Sequence, residues 1–255
     1  IDGWGEDPFS GVIIDGKLFG RGSSDMKSAI ASFVSAAHRY ILKVDEELPG
    51  SISLLITGDE EGPAINGTTK VLDWMSNNNE VIDACIVGEP TNPDYLGQMI
   101  KIGRRGSFTG WLTVTGVQGH TAYPHLAENP LSKLVKMLEP LAEEQLDRGT
   151  EYFPPTTAAI SSIDTGNSAS NVIPQKVTAS FNIRFNDSRT AEDIEKWLRA
   201  HFDSVGGNYT LETACSSNAF ITEPGALSDD LVSAVKAVVG TQPEMSTTGG
   251  TSDAR

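Results

Sequence analysis

Ten consecutive residues, Lys176 to Phe185, set the tightest limit on what this chain can fold into. Val177, Ala179, Phe181, Ile183 and Phe185 alternate without a break with Lys176, Thr178, Ser180, Asn182 and Arg184. A period of two sends every apolar side chain to one face of a strand and every polar one to the other. The apolar face must be covered, so the segment demands a sheet with helices on one side. Its neighbours supply both. Ser107 to Thr115, Thr157 to Ile163 and Tyr209 to Ala214 read as strands. Asn129-Pro130, an N-cap followed by proline at the first helical position, opens a helix with Leu131, Leu134, Val135, Leu138 and Leu141 on one face. A second helix runs from about Ala191 to Phe202. The order βαββαβ predicts a ferredoxin-like α+β insert.

The flanking sequence has a different texture. Val12 to Phe19 reads as a hairpin turning at Asp15-Gly16. Ser24 is a candidate N-cap for a helix that carries Met26, Ala29, Ile30, Phe33, Val34, Ala37 and Ile41 at helical spacing. Ser51 to Thr57 and Ile82 to Val87 read as short buried strands on either side of a helix at about Thr68 to Ser76. After Pro224-Gly225 a helix returns, with Ser228 as its expected cap and Gly240 as its stop. The alternation of helix and strand predicts an α/β domain built on a mainly parallel sheet with helices on both faces.

Charge narrows the function classes. The chain holds 34 acidic and 19 basic residues, a net charge of -15. Bulk electrostatics of that sign disfavour nucleic acid and anionic membranes as partners. No apolar run approaches the roughly 18 residues that span a bilayer. The opening Ile1-Asp2-Gly3-Trp4 does not read as a signal peptide, and it lacks an initiator Met. With only Cys85 and Cys215, it has no disulfide framework, and a reducing cytoplasm is the expected location.

Acidic residues recur where the predicted elements end. Asp25 stands at the hairpin-to-helix junction, Glu60 and Glu61 follow the strand ending at Thr57, and Glu89 follows the strand ending at Val87. In an open α/β sheet, ligands bind beyond the carboxyl ends of the strands. Carboxylates gathered there repel one another unless water, protons or a cation intervene. Taken singly, each motif reads more readily as a solvated turn, and it is the recurrence at three element ends that argues against this. An all-oxygen site would suit magnesium or calcium as well as zinc.

The wording of the motifs narrows this further. Leu18-Phe19-Gly20-Arg21-Gly22-Ser23-Ser24-Asp25-Met26-Lys27, Thr57-Gly58-Asp59-Glu60-Glu61-Gly62 and Val87-Gly88-Glu89-Pro90-Thr91 resemble, in order, motifs of the zinc aminoacylase and carboxypeptidase family. Four more stretches extend the resemblance over essentially the whole chain: Gly103-Arg104-Arg105-Gly106-Ser107, Gln118 to His125, Asn171-Val172-Ile173-Pro174 and Thr248 to Arg255. They point to a branch that removes a succinyl group from an amine, with an acetylornithine deacetylase-like deacylase as the nearest rival.

The resemblance implies roles by position. Asp25 would bridge two zinc ions (cobalt able to replace them), Glu89 would ligate the first, Glu61 the second, and Glu60 would be the general base. The Asp25-Met26 peptide bond would be cis. His120 would reach a neighbouring subunit's site and stabilise an oxyanion. Arg104, Arg184 and Arg255 would bind substrate carboxylates, with Ser107, Tyr123, Asn171 and Thr251 completing the pocket. Position 170 is Ser where some relatives have a second Asn.

His38 and His201 lie on predicted helices and read as structural, and His125 is left unassigned. Residues 1–105 and 222–255 would form the catalytic domain, and 106–221 a lid through which two copies dimerise. The family's His-x-Asp motif would precede Ile1 and its last metal-binding His would follow Arg255, so the chain reads as truncated at both ends. A non-catalytic dimerising fragment is therefore the competing reading.

Overall fold

The computed structural model describes residues 3–44, 48–62, 64–143, 145–250 and 252–255. The chain divides into two compact units, one of residues 1–94 with 252–254, the other of residues 95–251 with 255.

The first unit opens with the expected hairpin. Strands β1 (Ile13–Ile14) and β2 (Lys17–Leu18) pair antiparallel. Asp15 and Gly16 take φ of 50° and 76°, the left-handed pair that a two-residue hairpin turn requires. The Asp25–Met26 peptide bond is cis. Helix α1 spans Lys27–Ile41 and half-buries Ala29, Ile30, Phe33 and Ala37. Its N-cap position is Met26 rather than Ser24, and no side chain caps it. Helix α2 spans Thr68–Asn77.

The expected strands at 51–57 and 82–87 form no ladder among the described residues. Their apolar runs predict burial rather than hydrogen bonding. Here the burial is missing too: Ile52, Leu54, Leu55 and Ile56 are 52, 50, 42 and 63% exposed.

The second unit contains the strand of strict apolar-polar alternation. In chain order it holds β3 (Met99–Lys101), β4 (Gly103–Arg104), β5 (Gly106–Thr115), β6 (Gly119–His120), α3 (Pro130–Leu138), β7 (Thr157–Asp164), β8 (Val172–Ile173), β9 (Lys176–Phe185), α4 (Ala191–Val205), β10 (Asn208–Ser217), β11 (Phe220–Ile221), α5 (Ala226–Val239) and β12 (Glu244–Ser246). Four of these strands form an antiparallel sheet in the order β10-β5-β9-β7. With α3 after β5 and α4 after β9, this is the ferredoxin-like arrangement the pattern predicts.

The alternation of β9 is realised in full: Val177, Ala179, Phe181, Ile183 and Phe185 are buried, and Thr178, Ser180, Asn182 and Arg184 are not. Against the apolar face lie Leu134, Met137 and Leu138 of α3 and Ile194, Leu198 and Phe202 of α4. Each such side chain contributes roughly 1.5–3 kcal/mol on burial. Asn129 caps α3, its Oδ1 accepting from Leu131 N at 3.0 Å. Helix α5 ends at Gly240, whose φ of 82° is left-handed, while Ser228 stands at the third helical position and exchanges two hydrogen bonds with Gly225. Short ladders, β12 parallel to β3 and β11 antiparallel to β4, lie beside the main sheet.

Candidate functional site

In the first unit the acidic residues sit on turns whose shape other side chains determine. Asp59 Oδ2 accepts from Ile65 N at 2.7 Å and Asn66 N at 2.8 Å, and its carbonyl accepts from Gly62 N and Ala64 N. The loop thus folds around Asp59. Glu60 and Glu61 are carried on it, Glu61 exposed and Glu60 partly so. A Cβ at Gly62 would lie 2.7 Å from Asp59 Oδ1, so the tight return needs glycine there. Asp59 is a structural residue of this site that the sequence reading passed over, although an Asp three residues before a Gly is a turn signal.

Glu89 is brought towards the Asp25 junction by close packing. A Cβ at Gly88 would lie 2.7 Å from Ala29 Cβ, 2.8 Å from Phe33 and 3.2 Å from Met26 Cε, so the backbone before Glu89 lies against the start of α1. Asp253 ties the C-terminal loop to α2 by accepting from Thr68 Oγ1 at 2.6 Å. Among the described residues, no group of three or more His, Cys, Asp or Glu side chains is gathered so as to hold a metal ion.

In the second unit the substrate-side candidates fall into three places. The first is a loop cluster. His120 lies on β6 opposite Val172 of β8, its Nδ1 accepts from Ala122 N at 3.0 Å, and its ring centroid is 5.9 Å from that of Tyr123. Asn171 joins the cluster through its carbonyl, which accepts from Thr121 N at 3.0 Å. With Nδ1 accepting, Nε2 carries the proton of the neutral ring and is free to donate.

The second place is the polar end of the main sheet. Arg184 on β9 faces Ser107 of β5 on one side and Thr157 of β7 on the other. Ser107 is buried, and its Oγ accepts from Asn182 Nδ2 at 3.3 Å. The third is the glycine-rich loop after β12. Arg104, 7% exposed, donates from Nη1 to Thr248 O at 2.8 Å. Lys101 Nζ donates to Thr248 Oγ1 at 2.7 Å and Ser246 Oγ at 3.1 Å. Burial, followed by the charge of Arg104, lowers the Lys101 pKa. Gly249 crosses Arg104 with φ of 101°, and a Cβ there would meet Nη1 at 3.1 Å. Arg255 is exposed, and Thr251 lies outside the described residues.

His201 is structural as expected, its Nε2 3.0 Å from Lys136 O. His38 is exposed on α1, and Cys85 and Cys215 are free thiols.

Residues 102–210 match the peptidase dimerisation domain family. Over 99% of its length the chain is 59% identical to a succinyl-diaminopimelate desuccinylase of Rhodospirillum centenum, covering 65% of that protein. It is 51% identical to the Rhodospirillum rubrum protein of the same name, covering all of this chain and 68% of the relative. The chain belongs to the succinyl-diaminopimelate desuccinylase family. It spans about 65% of the length of its R. centenum relative. A metallo-carboxypeptidase of the M20 family from Sulfolobus solfataricus has the same fold, with a TM-score of 0.69 over 98% of this chain and 69% of that one, at 17% identity. That likeness and the dimerisation-domain match agree with the two architectures expected from the pattern, an α/β domain and a ferredoxin-like insert. No described helix is long and apolar enough to cross a membrane.

Proposed function

We propose that the protein hydrolyses N-succinyl-LL-2,6-diaminopimelate to succinate and LL-2,6-diaminopimelate, a step on the route to diaminopimelate and lysine. The observation that carries this reading is 59% identity, over 99% of the chain, to a relative named for that activity. The proposed partners are the small-molecule substrate and a second copy of the chain, joined through residues 106–221 in the cytoplasm. Residues 1–105 and 222–255 are the proposed catalytic domain.

The proposed cofactors are two zinc ions, replaceable by cobalt, with Asp25, Glu61 and Glu89 as carboxylate ligands. Carboxylate oxygens suit a divalent cation, but these side chains do not stand in one coordination sphere among the described residues. The chain's own side chains carry the remaining roles. Glu60, carried on a loop braced by Asp59, takes the proton of the attacking water and passes it to the leaving amine. His120 Nε2 donates to the developing oxyanion across the dimer. Arg104, Arg184 and Arg255 hold carboxylates, an anion for which a planar guanidinium fork is well shaped. Ser107, Tyr123, Asn171 and Thr251 supply neutral hydrogen bonds.

The test compares this 255-residue chain with a version extended to the length of its relatives. Succinyl- and acetyl-amide substrates are assayed in each, with bound zinc and mass in solution measured alongside. Preference for the succinyl substrate supports the reading, and equal turnover of N-acetylornithine replaces it with the deacetylase one. In the extended version Glu60→Ala should retain zinc and lose about 100-fold or more of turnover, the scale of general-base catalysis. Undiminished turnover removes Glu60 from the role.

The match of 102–210 to a dimerisation domain favours a second reading for the short chain, a dimer without activity. A short chain that hydrolyses substrate as fast as the extended one would end it.

A further inference from the structure

His120 stands on a very short ladder. Strands β6 and β8 contribute two residues each, Gly119 opposite Ile173 and His120 opposite Val172. The loop that carries His120 is closed at its base, where Val117 and Glu128 exchange two backbone bonds of 2.9 Å and Gly116 N donates to Gln175 O at 2.8 Å. At its tip it is held by β6 and by Thr121 N, which donates to Asn171 O at 3.0 Å. A lone two-stranded ladder is marginal in water. The placement of His120 therefore depends on what holds β8 from its other side.

The register decides which groups of β8 are open to a brace. Thr121 N bonds Asn171 O, and in an antiparallel pair such positions alternate with ones whose N–H and C=O turn away from the partner strand. His120 and Val172 occupy the second kind, so the Val172 carbonyl points away from β6. The Asn167 carboxamide meets it there. Its Nδ2 donates to Val172 O at 2.9 Å and to Ala169 O at 3.2 Å, and its Oδ1 accepts from Ala169 N at 3.1 Å. An exposed side chain thus uses both donors and its acceptor on backbone. The turn before it is also fixed. Asp164, the last residue of β7, accepts through Oδ1 from Gly166 N at 2.7 Å, and Thr165 Oγ1 accepts from Asn167 N at 3.1 Å. Gly166 takes the left-handed φ of 61° that lets the chain turn back. A continuous set of bonds therefore runs from an edge strand of the main sheet, through Asn167, to the residue opposite His120.

We propose that Asn167 is a positioning residue for His120: its carboxamide takes the place of a third strand on the outer edge of β8 and fixes where the imidazole stands. The bracing belongs to this unit alone. Its consequence for the reaction rests on the oxyanion role of His120 proposed above.

The first test uses the unaltered 255-residue chain. The Asn167 carboxamide protons should exchange with water at least about tenfold more slowly than those of a free carboxamide. Exchange at the free rate overturns the proposal, and that result needs no variant to fold. The second uses Asn167→Asp, which keeps the shape and the acceptor but turns an anionic oxygen on the two carbonyls. The Thr121 amide should exchange about tenfold or more faster, and the His120 ring nitrogen resonances should shift, while the amides of β5 and β9 keep their protection and report an intact sheet. Unmoved His120 and Thr121 signals in a folded Asn167→Asp chain overturn the proposal.

A kinetic arm in the extended version separates the brace from the reaction. With the succinyl substrate, Asn167→Asp should lower kcat about tenfold or more and leave KM within about twofold, as a displaced transition-state donor does. In a His120→Ala background it should lower kcat no further, and an equal loss there would show that Asn167 acts elsewhere and end the proposal. If His120→Ala itself leaves kcat unchanged while Asn167→Asp still moves the His120 resonances, the brace stands and the oxyanion role falls.

Discussion

Half-buried Asp147 organises backbone around it, and it shows what that does to stability. Its Oδ1 accepts from Gly149 N at 2.9 Å, Thr156 N at 2.8 Å and Asn186 Nδ2 at 2.9 Å. Burial alone would raise its pKa, but the bonds from Thr156, Gly149 and Asn186 outweigh it and hold the carboxyl below its ordinary 3.8. A depressed folded pKa stabilises the fold above the ordinary value, and that stabilisation is lost as pH falls through the folded one. Acid titration of stability should therefore show a loss below about pH 4 that Asp147→Ala makes smaller, the remainder coming from Asp193 and Glu195, whose hydrogen bonds also hold them low. At neutral pH the same variant should cost roughly 1–3 kcal/mol, the scale for stranding a buried donor. Denaturant unfolding at pH 7 and at low pH checks both, and an unchanged acid limb would remove Asp147 as its cause.

Legibility at this scale followed a simple division. Asp25, Glu60, Glu61, Glu89 and His120 could be singled out because their motifs are distinctive, but their mutual placement could not, because it depends on side chains that carry no chemistry. Asp59 was visible as a turn former and was overshadowed by the two glutamates after it.

At the scale of elements, the period of two in β9 and the helical tracks of α3 and α4 specified the sheet almost completely, because each pattern demands its partner. The glycines of β5 were the part that resisted. Gly106 and Gly110 lie directly opposite Phe185 and Phe181 of β9. A Cβ at these glycines would come within 2.1 Å and 2.3 Å of the facing rings. Both rings are fully buried, so the phenylalanines fold over the glycines and cannot swing away. Only cross-strand register reveals this. Gly110→Ala should cost about 1–3 kcal/mol, the range for overpacking a filled core, while Phe181→Ala should cost about 3–5 kcal/mol. Chemical denaturation would rank the two, and a neutral Gly110→Ala would mean that the ring has somewhere to go.

Capping at the start of α4 is reciprocal. Thr190 Oγ1 accepts from Asp193 N at 3.2 Å, and Asp193 Oδ2 accepts from Thr190 N at 3.0 Å. The apolar runs at 51–57 and 82–87 mark the opposite limit. They were legible as segments that seek cover, but a strand also needs a hydrogen-bonding neighbour, and no run of letters says whether one is present.

Across the whole molecule, burial is unequal. Among the described residues, every fully buried large side chain, from Phe108 to Phe202, belongs to the second unit. In the first unit neither α1 nor α2 contains a buried residue, and Val81, Ile56 and Trp74 are 81, 63 and 58% exposed. Local stability follows buried apolar contact, because an amide exchanges through the least costly opening that frees it. The central strands β5 and β9 are each paired on both sides and packed beneath two helices. Their amides can open only with the sheet itself. The helical amides of α1 and α2 have no such anchor, and helices of 15 and 10 residues are marginal in water without one. Native-state hydrogen exchange on the 255-residue chain should find its slowest amides in β5 and β9, with α1 and α2 exchanging at least tenfold faster. Comparable protection in α1 and β9 would show that the first unit gains cover in solution from something beyond its own described residues.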